Sequence, residues 1–341
     1  MRLCSEVRRM MKLESQSAVS STNKRGETPA RNVMAFLNKY MLFIILVGSI
    51  VVFSLLSPYF LSVKNFLALG LTISVIGIVC IGQTLCILIR GFDLSVGFNA
   101  GFCGMVTAYL CASAHIPYVV SLLMGLALGG LVGLVNGLLI TKGRINPLIT
   151  TLATGFILTG GILIVSKGYS IIVNDAQFIF LGTTKVLGIP LPMIILVLLF
   201  ILFNILLKHT VFGRWIYCMG GNPTAAKIAG INIQKLEMQV YALSGVMAAF
   251  GGILLASRMG SAQTTAGSTY SLDSIAASVL GGIALSGGEG KIFGTLGGVA
   301  IIGILQNGLV MLGVRQEYQN IATGLVLILA VLLQNMNSKR S

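Results

Sequence analysis

Long apolar runs, separated by short polar connectors, fill the chain from residue 40 to residue 335. A window of about 19 residues identifies ten such runs: 40–57, 66–89, 96–112, 117–140, 146–166, 190–207, 236–257, 273–288, 294–312 and 318–334. A helix needs about 20 apolar residues to cross a bilayer. The pattern therefore predicts an all-α polytopic membrane protein with about ten transmembrane helices. Runs 96–112 and 273–288 are short or interrupted by glycine, so the sequence leaves open whether they are broken or partly re-entrant helices.

The composition excludes a compact soluble domain. Hydrophobic residues make up 55% of the chain and charged residues only 9%, against roughly 25% charged in soluble domains. The mean hydropathy is +0.94. The 42 glycines are typical of membrane helices, where small residues let neighbouring helices approach closely.

The basic residues give the orientation. If the chain crosses the membrane ten times, both tails and every second connector lie on the same side. That side holds 18 of the 23 Lys and Arg residues, and the opposite connectors hold 5. The positive-inside rule therefore predicts that the N and C termini are both cytoplasmic. On this view residues 1–39 form a basic, disordered cytoplasmic tail, 40–335 the transmembrane domain and 336–341 a short cytoplasmic C-terminal tail. The net charge of +14 is then a topology signal, and no nucleic-acid partner is expected.

Two halves of the chain resemble each other weakly. Arg90 corresponds to Arg258, Asp93 to Asp273, and the run beginning at Asn136 (Asn-Gly-Leu) to the run beginning at Asn307. By the predicted topology the two halves cross the membrane in opposite directions. Spans 2–5 and 7–10 are therefore predicted to be inverted repeats, an architecture common in transporters. The alternative is that glycine-rich membrane helices look alike by composition.

No catalytic constellation is present, so the chain is predicted not to be an enzyme. There is no P-loop, and the sequence GGEGKIFG at 287–294 lacks the preceding strand and the Lys-Ser/Thr ending that a phosphate site needs. It is interpreted as a tight turn. The six cysteines form no CxxC pair, and the two histidines lack ligand partners at metal spacing, so neither a metal site nor a cofactor is expected.

Polar residues inside the apolar runs are candidates for a pathway through the membrane. Each costs free energy in lipid unless it is hydrogen-bonded or faces a cavity. The candidates are Asn99, Asn136, Thr151, Gln306 and Asn307, with the two repeat-related residues Asn136 and Asn307 ranked highest. The alternative is ordinary hydrogen bonding between helices. Asp93 and Asp273 are expected to be structural caps at the start of spans 3 and 8.

The cytoplasmic connector 208–235 carries a candidate docking element. Asn222-Pro223 is a helix start, because Asn caps free backbone N–H groups and Pro suits the first helical turn. The sequence TAAKIA then predicts about two turns, stopped at Gly230. A short helix of small residues suits docking to another protein. The alternative is an ordinary helix at the membrane interface.

Four stretches together resemble the permease subunits of bacterial ATP-binding-cassette (ABC) importers for monosaccharides, the ribose, xylose, arabinose and galactose type. They are GFDLSVG, INPLITTLATGFILTGG, the run from GRWIYCMGGNPTAAKIAG to GGILLASR, and LDSIAASVLGGIALSGGEGKIFGTLGGVAIIGILQNGL. The resemblance covers roughly residues 40–335. The chain departs from the family mainly in its long N-terminal tail, and in Phe92, where the family usually has a β-branched residue before the Asp.

The resemblance implies a multi-pass protein of the bacterial cytoplasmic (inner) membrane that works with several partners. These are an ABC ATPase subunit that binds ATP and magnesium, a substrate-binding protein that delivers the sugar, and a second permease copy or a paralogous permease. It also implies that the loop between spans 6 and 7 contacts the ATPase. Carried over to this chain, the coupling helix comprises Gly221, Asn222, Pro223, Ala225, Ala226, Ala229 and Gly230.

Two other functions remain open from the sequence. One is an ion-coupled secondary carrier, which is disfavoured because no span centre holds an acidic residue. The other is an ABC permease for a different solute, such as a nucleoside or a branched-chain amino acid. The sequence does not identify the sugar.

Overall fold

The structure, a computed structural model, describes residues 29–338. Within the described residues, the boundary between two compact units falls after Ile44. Residues 29–44 are helical. Residues 29–39, predicted to belong to a disordered tail, thus lie in the first helix. The rest of the predicted tail, residues 1–28, and residues 339–341 lie outside the described part of the chain.

The chain is an all-α polytopic membrane protein. Its long helices are α1 (Pro29–Leu56), α2 (Val63–Leu88), α3 (Val96–Ala112), α4 (Tyr118–Thr141), α5 (Pro147–Ser166), α7 (Leu191–His209), α10 (Ile233–Met259), α12 (Ile292–Met311) and α13 (Gln316–Ser338). Within residues 29–338, six of them are long and apolar enough to cross a membrane: α2, α4, α5, α7, α10 and α12. Each of the six coincides closely with one of the ten predicted apolar runs.

Shorter elements fill the connectors. Between α5 and α7 lie β1 (Ile171–Ile172), α6 (Ala176–Thr183), β2 (Lys185–Val186) and β3 (Ile189–Pro190). Between α7 and α10 lie α8 (Val211–Gly221) and α9 (Pro223–Ile228), and after α10 come β4 (Ser261–Ala262) and α11 (Tyr270–Leu280). β1 pairs antiparallel with β4, and β2 pairs antiparallel with β3 as a small hairpin.

Helix α11 differs from the predicted run 273–288. It ends at Leu280, and residues 281–291 form turns. Gly282, Gly287 and Gly288 there have φ between +74° and +82°, a conformation that a helix does not contain and that glycine adopts without steric cost. At 1.5 Å per residue an eleven-residue helix spans only about 16 Å, roughly half the thickness of the hydrocarbon core.

Two helices, α2 and α10, lie at the centre of the second unit. In the most apolar 18-residue segment of each helix, 83% of the residues of α2 and 72% of those of α10 are buried inside the protein. The corresponding share is 28% for each of α4, α5 and α7. The main core cluster joins α2 to α7 and α10 through large side chains such as Leu85, Phe200 and Tyr241. Helices α4, α5 and α7 therefore expose much apolar surface, as expected for helices that face lipid or a partner chain.

Glycines set the distance between α10 and its neighbours α3 and α4. A Cβ atom added to Gly252 of α10 would collide with the carbonyl oxygen of Ala100 on α3, and one added to Gly245 would collide with the carbonyl oxygen of Gly129 on α4. The backbones thus touch without intervening side chains. Such contacts supply the van der Waals attraction that holds helices together where lipid removes the hydrophobic drive.

Gly252→Val is expected to destabilise the folded protein, because the added side chain must push α3 and α10 apart, and overpacking typically costs about 1–3 kcal/mol. The measurement is the temperature at which the detergent-purified protein loses its monodisperse gel-filtration peak. Gly160→Val on α5 is the matched control, since a Cβ there meets no atom within 4 Å. Equal stability of the two variants would contradict the role of close packing.

Candidate functional site

The 208–235 loop folds into two short helices with well-defined caps. Thr210 caps α8 by accepting a hydrogen bond from the Gly213 N–H at 3.2 Å. Asn222 caps α9 by accepting one from the Ala225 N–H at 3.0 Å, and Pro223 occupies the first helical position. Gly230 follows the end of α9 with φ of +85°. The sequence signals of this loop act locally, which is why the helix lies where they predict it.

The exposed surface of α9 combines one large apolar side chain with small and polar residues. Ile228 is 83% exposed, and Thr224, Ala225, Lys227 and Ala229 are also exposed. Ala226, predicted to belong to the same contact surface, is buried at 3% exposure. Ala226 therefore packs α9 against the rest of the protein, and Ile228 is the large apolar side chain that α9 leaves exposed.

Arg90 fastens the loop to the end of α2. Its Nε donates to the carbonyl oxygen of Gly220 at 2.6 Å, and its Nη2 donates to that of Gly221 at 2.6 Å. Both carbonyls belong to the last turn of α8, where helical partners run out. Arg90 itself has φ of +67°. This conformation is uncommon for a residue other than glycine, and here it accompanies the two bonds to α8.

The glycine-rich turn after α11 completes this junction. The Gly288 N–H donates to the Leu88 carbonyl oxygen at 2.9 Å, and the Tyr217 hydroxyl of α8 donates to the Gly290 carbonyl oxygen at 2.9 Å. Gly220 lies against both Leu88 and Gly288, with no room for a Cβ atom. Burial raises the pKa of the Tyr217 hydroxyl, so it stays protonated as a donor. The turn interpreted from GGEGKIFG thus joins α8 to the end of α2.

The turn Phe92–Ser95, between α2 and α3, is a second junction deep in the bundle. Asp93 is 1% exposed. One of its oxygens accepts hydrogen bonds from the Ser95 N–H and hydroxyl, and the other accepts from the Ser244 hydroxyl of α10 at 3.0 Å. The expectation that Asp93 caps α3 is therefore wrong. The residue in the cap position is Ser95, and Asp93 instead fixes the turn that precedes the helix.

Other helices also bind this turn. The Leu94 N–H donates to Thr151 of α5 at 3.1 Å, and the Leu94 carbonyl oxygen accepts from Ser271 of α11 at 2.7 Å. Asn136 of α4 donates to the Ser95 hydroxyl at 2.9 Å. Two pathway candidates, Asn136 and Thr151, thus lie together beside Asp93, with their polar atoms engaged inside the protein.

The remaining candidates lie elsewhere. Asn99 on α3 donates to carbonyl oxygens of Gly129 and Gly245 at 3.3 and 3.2 Å. Asn307 on α12 exchanges two hydrogen bonds with Asn65 of α2, at 3.0 and 2.9 Å. The two repeat-related asparagines therefore have different partners, one at the 92–95 turn and one at the opposite end of α2.

Asp273 also differs from its expected role. It lies within the first turn of α11, whose cap position is Thr269. Its Oδ2 accepts a hydrogen bond from Gln306 of α12 at 3.3 Å. The expectation that Asp273 is a cap is wrong, but the structure does pair it with Gln306, another sequence candidate.

Gln83 of α2, a further polar residue within an apolar run, has an unusual environment. Both polar atoms of its side chain are buried without a hydrogen-bond partner in the described part of the chain. Its neighbour Thr84 bonds Ser278 at 3.2 Å and Thr295 at 2.9 Å. No group of three or more His, Cys, Asp or Glu residues that could hold a metal is found among the described residues.

The sequence comparisons point to membrane transport. A family profile described as "Branched-chain amino acid transport system / permease component" matches residues 65–331. The chain is 39% identical to a ribose import permease protein of Haemophilus influenzae, over 91% of this chain and 97% of the relative. It is 42% identical to a ribose import permease protein of Bacillus subtilis, over 85% and 90% respectively. It is 37% identical to an L-arabinose transport system permease protein of Escherichia coli, over 86% and 91%. No solved structure matches.

Arg90→Met is expected to loosen the 208–235 loop, because the carbonyls of Gly220 and Gly221 lose their donor. Hydrogen bonds to charged groups contribute about 1.5–3 kcal/mol, and less when exposed. A loss of about 1.4 kcal/mol makes the detached loop about tenfold more populated, so trypsin should cut after Lys227 about tenfold faster. The measurement is the rate of that cleavage in the purified protein.

Arg214→Met is the matched control, since Arg214 is an exposed arginine on α8 that makes no side-chain hydrogen bond in the described structure. An unchanged rate in Arg90→Met would show that the junction does not depend on the guanidinium.

Proposed function

The chain belongs to the family of branched-chain amino acid transport system permease components, and we propose that it is the membrane-spanning permease of an ABC importer for a monosaccharide. The observation that carries this proposal is similarity along nearly the whole chain to permeases named for ribose, allose and arabinose, at 34–42% identity. The ion-coupled carrier and the permease for another solute are not favoured.

The topology that we propose has ten spans, with spans 2–5 and 7–10 as inverted repeats and both termini cytoplasmic. The bias of Lys and Arg between the connectors supports the orientation. The order of helices α2–α5 and α10–α13 along the chain supports the repeat. In the second half the short helix α11 and its glycine-rich turn take the place that α3 holds in the first.

We propose that α9 is the coupling helix that contacts a partner ABC ATPase. Its exposed surface presents Ile228, at the end of the helix, beside the basic Lys227 and the small Ala225. In this proposal, a displacement of α9 is transmitted to the transmembrane helices through the contacts of α8 described above. Arg90 connects α8 to α2, and the turn at 284–290 connects α8 and α2 to α11 and α12.

The permease itself performs no covalent chemistry in this proposal. The partner ATPase binds ATP with magnesium and hydrolyses it, and its closure moves α9. The permease then alternates between outward and inward access, and the sugar passes from a substrate-binding protein across the bacterial inner membrane. A second permease copy or a paralogue completes the pathway.

Among the pathway candidates we assign Asn99, Asn136 and Thr151 to the internal scaffold, because their polar atoms bond other helices within the chain. Asn307 belongs to the same class through its pair with Asn65. Gln306, next to Asp273, stays a candidate for the pathway.

The proposal is tested in proteoliposomes that contain the permease and its ATPase, with the binding protein added outside. Sugar uptake that depends on ATP and on the binding protein is the expected result. Uptake driven by a sodium or proton gradient alone would overturn the proposal.

Ile228→Asp is expected to abolish co-purification of the ATPase, because it replaces the most exposed apolar side chain of the proposed contact with a carboxylate. The measurement is the amount of ATPase retained on the affinity-tagged permease. Leu187→Asp in the β2–β3 hairpin is the control, since Leu187 is 98% exposed and lies in a connector predicted to face the opposite side. Ala226 is unsuitable for this test because it is buried. Full retention of the ATPase by Ile228→Asp would remove α9 as the contact.

A further inference from the structure

A cleft of about 200 Å³, lined by both apolar and polar side chains, lies between the N-terminal end of α11 and helix α13. Its lining consists of Ser268, Thr269, Leu272, Asp273, Asn320, Thr323, Gly324 and Leu327. The volume is below the roughly 300–1,000 Å³ of pockets for drug-sized ligands, so the cleft suits a smaller molecule. By the proposed topology, this end of α11 faces away from the 208–235 loop, on the side where the binding protein would release its sugar.

The two aspartates of the proposed repeat differ in how many hydrogen bonds their carboxylates accept. A carboxylate can accept about four hydrogen bonds. Asp93 accepts three, from Ser95 and Ser244. Asp273 accepts one from Gln306, at 3.3 Å, and one from the Thr269 side chain. Asp93 is engaged in the scaffold, whereas Asp273 keeps acceptor capacity and lines the cleft.

The other polar groups in the cleft complement this acceptor. The Oδ1 of Asn320 accepts from Gln316 at 3.3 Å, which leaves its NH₂ group to donate into the cleft. The Thr323 hydroxyl donates to the Gln319 carbonyl oxygen at 3.1 Å, so its oxygen can still accept. The side chains of Leu272 and Leu327 supply apolar walls.

We infer that this cleft is a monosaccharide-binding site on the translocation pathway, with Asp273 and Asn320 as its principal contacts. A sugar hydroxyl both donates and accepts, so it can donate to a carboxylate and accept from an amide at once. The C–H faces of the ring pack against leucine side chains. An acidic residue in a membrane domain is rare and costly, and typically marks a functional site. The inference rests on the proposed function and names the part of the chain that meets the substrate.

The test measures uptake in proteoliposomes with the permease, its ATPase and saturating sugar-loaded binding protein. The probes are labelled ribose, arabinose and allose, with 2-deoxyribose as an analogue lacking one hydroxyl. Asp273→Asn and Asn320→Leu are each expected to lower the number of sugars moved per ATP about tenfold, the effect of one or two lost hydrogen bonds. They are also expected to change the ratio of rates between sugars that differ in one hydroxyl, because one partner of a specific bond is missing.

Thr323→Val and Thr159→Val form a matched pair. Each threonine donates to the carbonyl four residues before it, but only Thr323 lines the cleft. Thr323→Val should alter the sugar ratios, and Thr159→Val should leave them unchanged. Retained folding is checked by gel filtration and by ATPase co-purification.

Several results would overturn the inference, and they differ from failure of the proposed function. Wild-type protein that moves no sugar refutes the proposed function and the site with it. Wild-type uptake with unaltered Asp273→Asn and Asn320→Leu refutes the site alone, as does a loss that is equal for every sugar. Sodium-dependent uptake that disappears in Asp273→Asn would identify the cleft as a cation site instead.

Discussion

A polar group buried in a membrane protein costs free energy unless it has a hydrogen-bond partner, and the turn Phe92–Ser95 is where this constraint organises the bundle. The turn interrupts the helical path between α2 and α3, so its backbone groups, and the polar side chains of Asp93 and Ser95, need partners from elsewhere. Four other helices supply them: α4 through Asn136, α5 through Thr151, α10 through Tyr241 and Ser244, and α11 through Ser271. Moving any one of these helices would leave buried groups unpaired, at a cost of several kcal/mol each in hydrocarbon.

Close packing gives the same bundle its dimensions. The glycines of α10 bring its backbone into contact with α3 and α4, and Gly82 brings α2 against Ser244 of α10. These contacts draw the hydrogen-bonding side chains of the 92–95 turn within reach of their partners. Packing and polar satisfaction are therefore coupled, because a larger residue in α10 would lengthen both sets of contacts at once.

The end of the bundle that carries α9 has a different construction. Here the bonds run mainly between backbone carbonyls and a few donors, namely Arg90, Tyr217 and the Gly288 N–H. These contacts connect the two short helices to the end of α2 and to the glycine-rich turn after α11. The interior is held instead by side-chain hydrogen bonds and close packing between long helices.

The sequence by itself determined the apolar helices and the local caps. The bilayer demands about 20 apolar residues per span, so α2, α4, α5, α7, α10 and α12 could be placed from hydropathy alone. The start of α9 at Asn222-Pro223 depends only on neighbouring residues, so it too could be predicted.

Only the tertiary structure decided which polar residues meet. Arg90 bonds residues 130 and 131 positions away, and Asp93 binds Ser244, 151 positions away, instead of capping its own helix. Ala226 is buried and Ile228 exposed, although both suit the same short helix. Asp93 and Asp273 look alike in the sequence, but Asp93 accepts three hydrogen bonds, two from Ser95 and one from Ser244 of α10, whereas Asp273 lines a cleft. Hydropathy reflects the interaction of each segment with lipid, whereas partner choice depends on how the segments pack against one another.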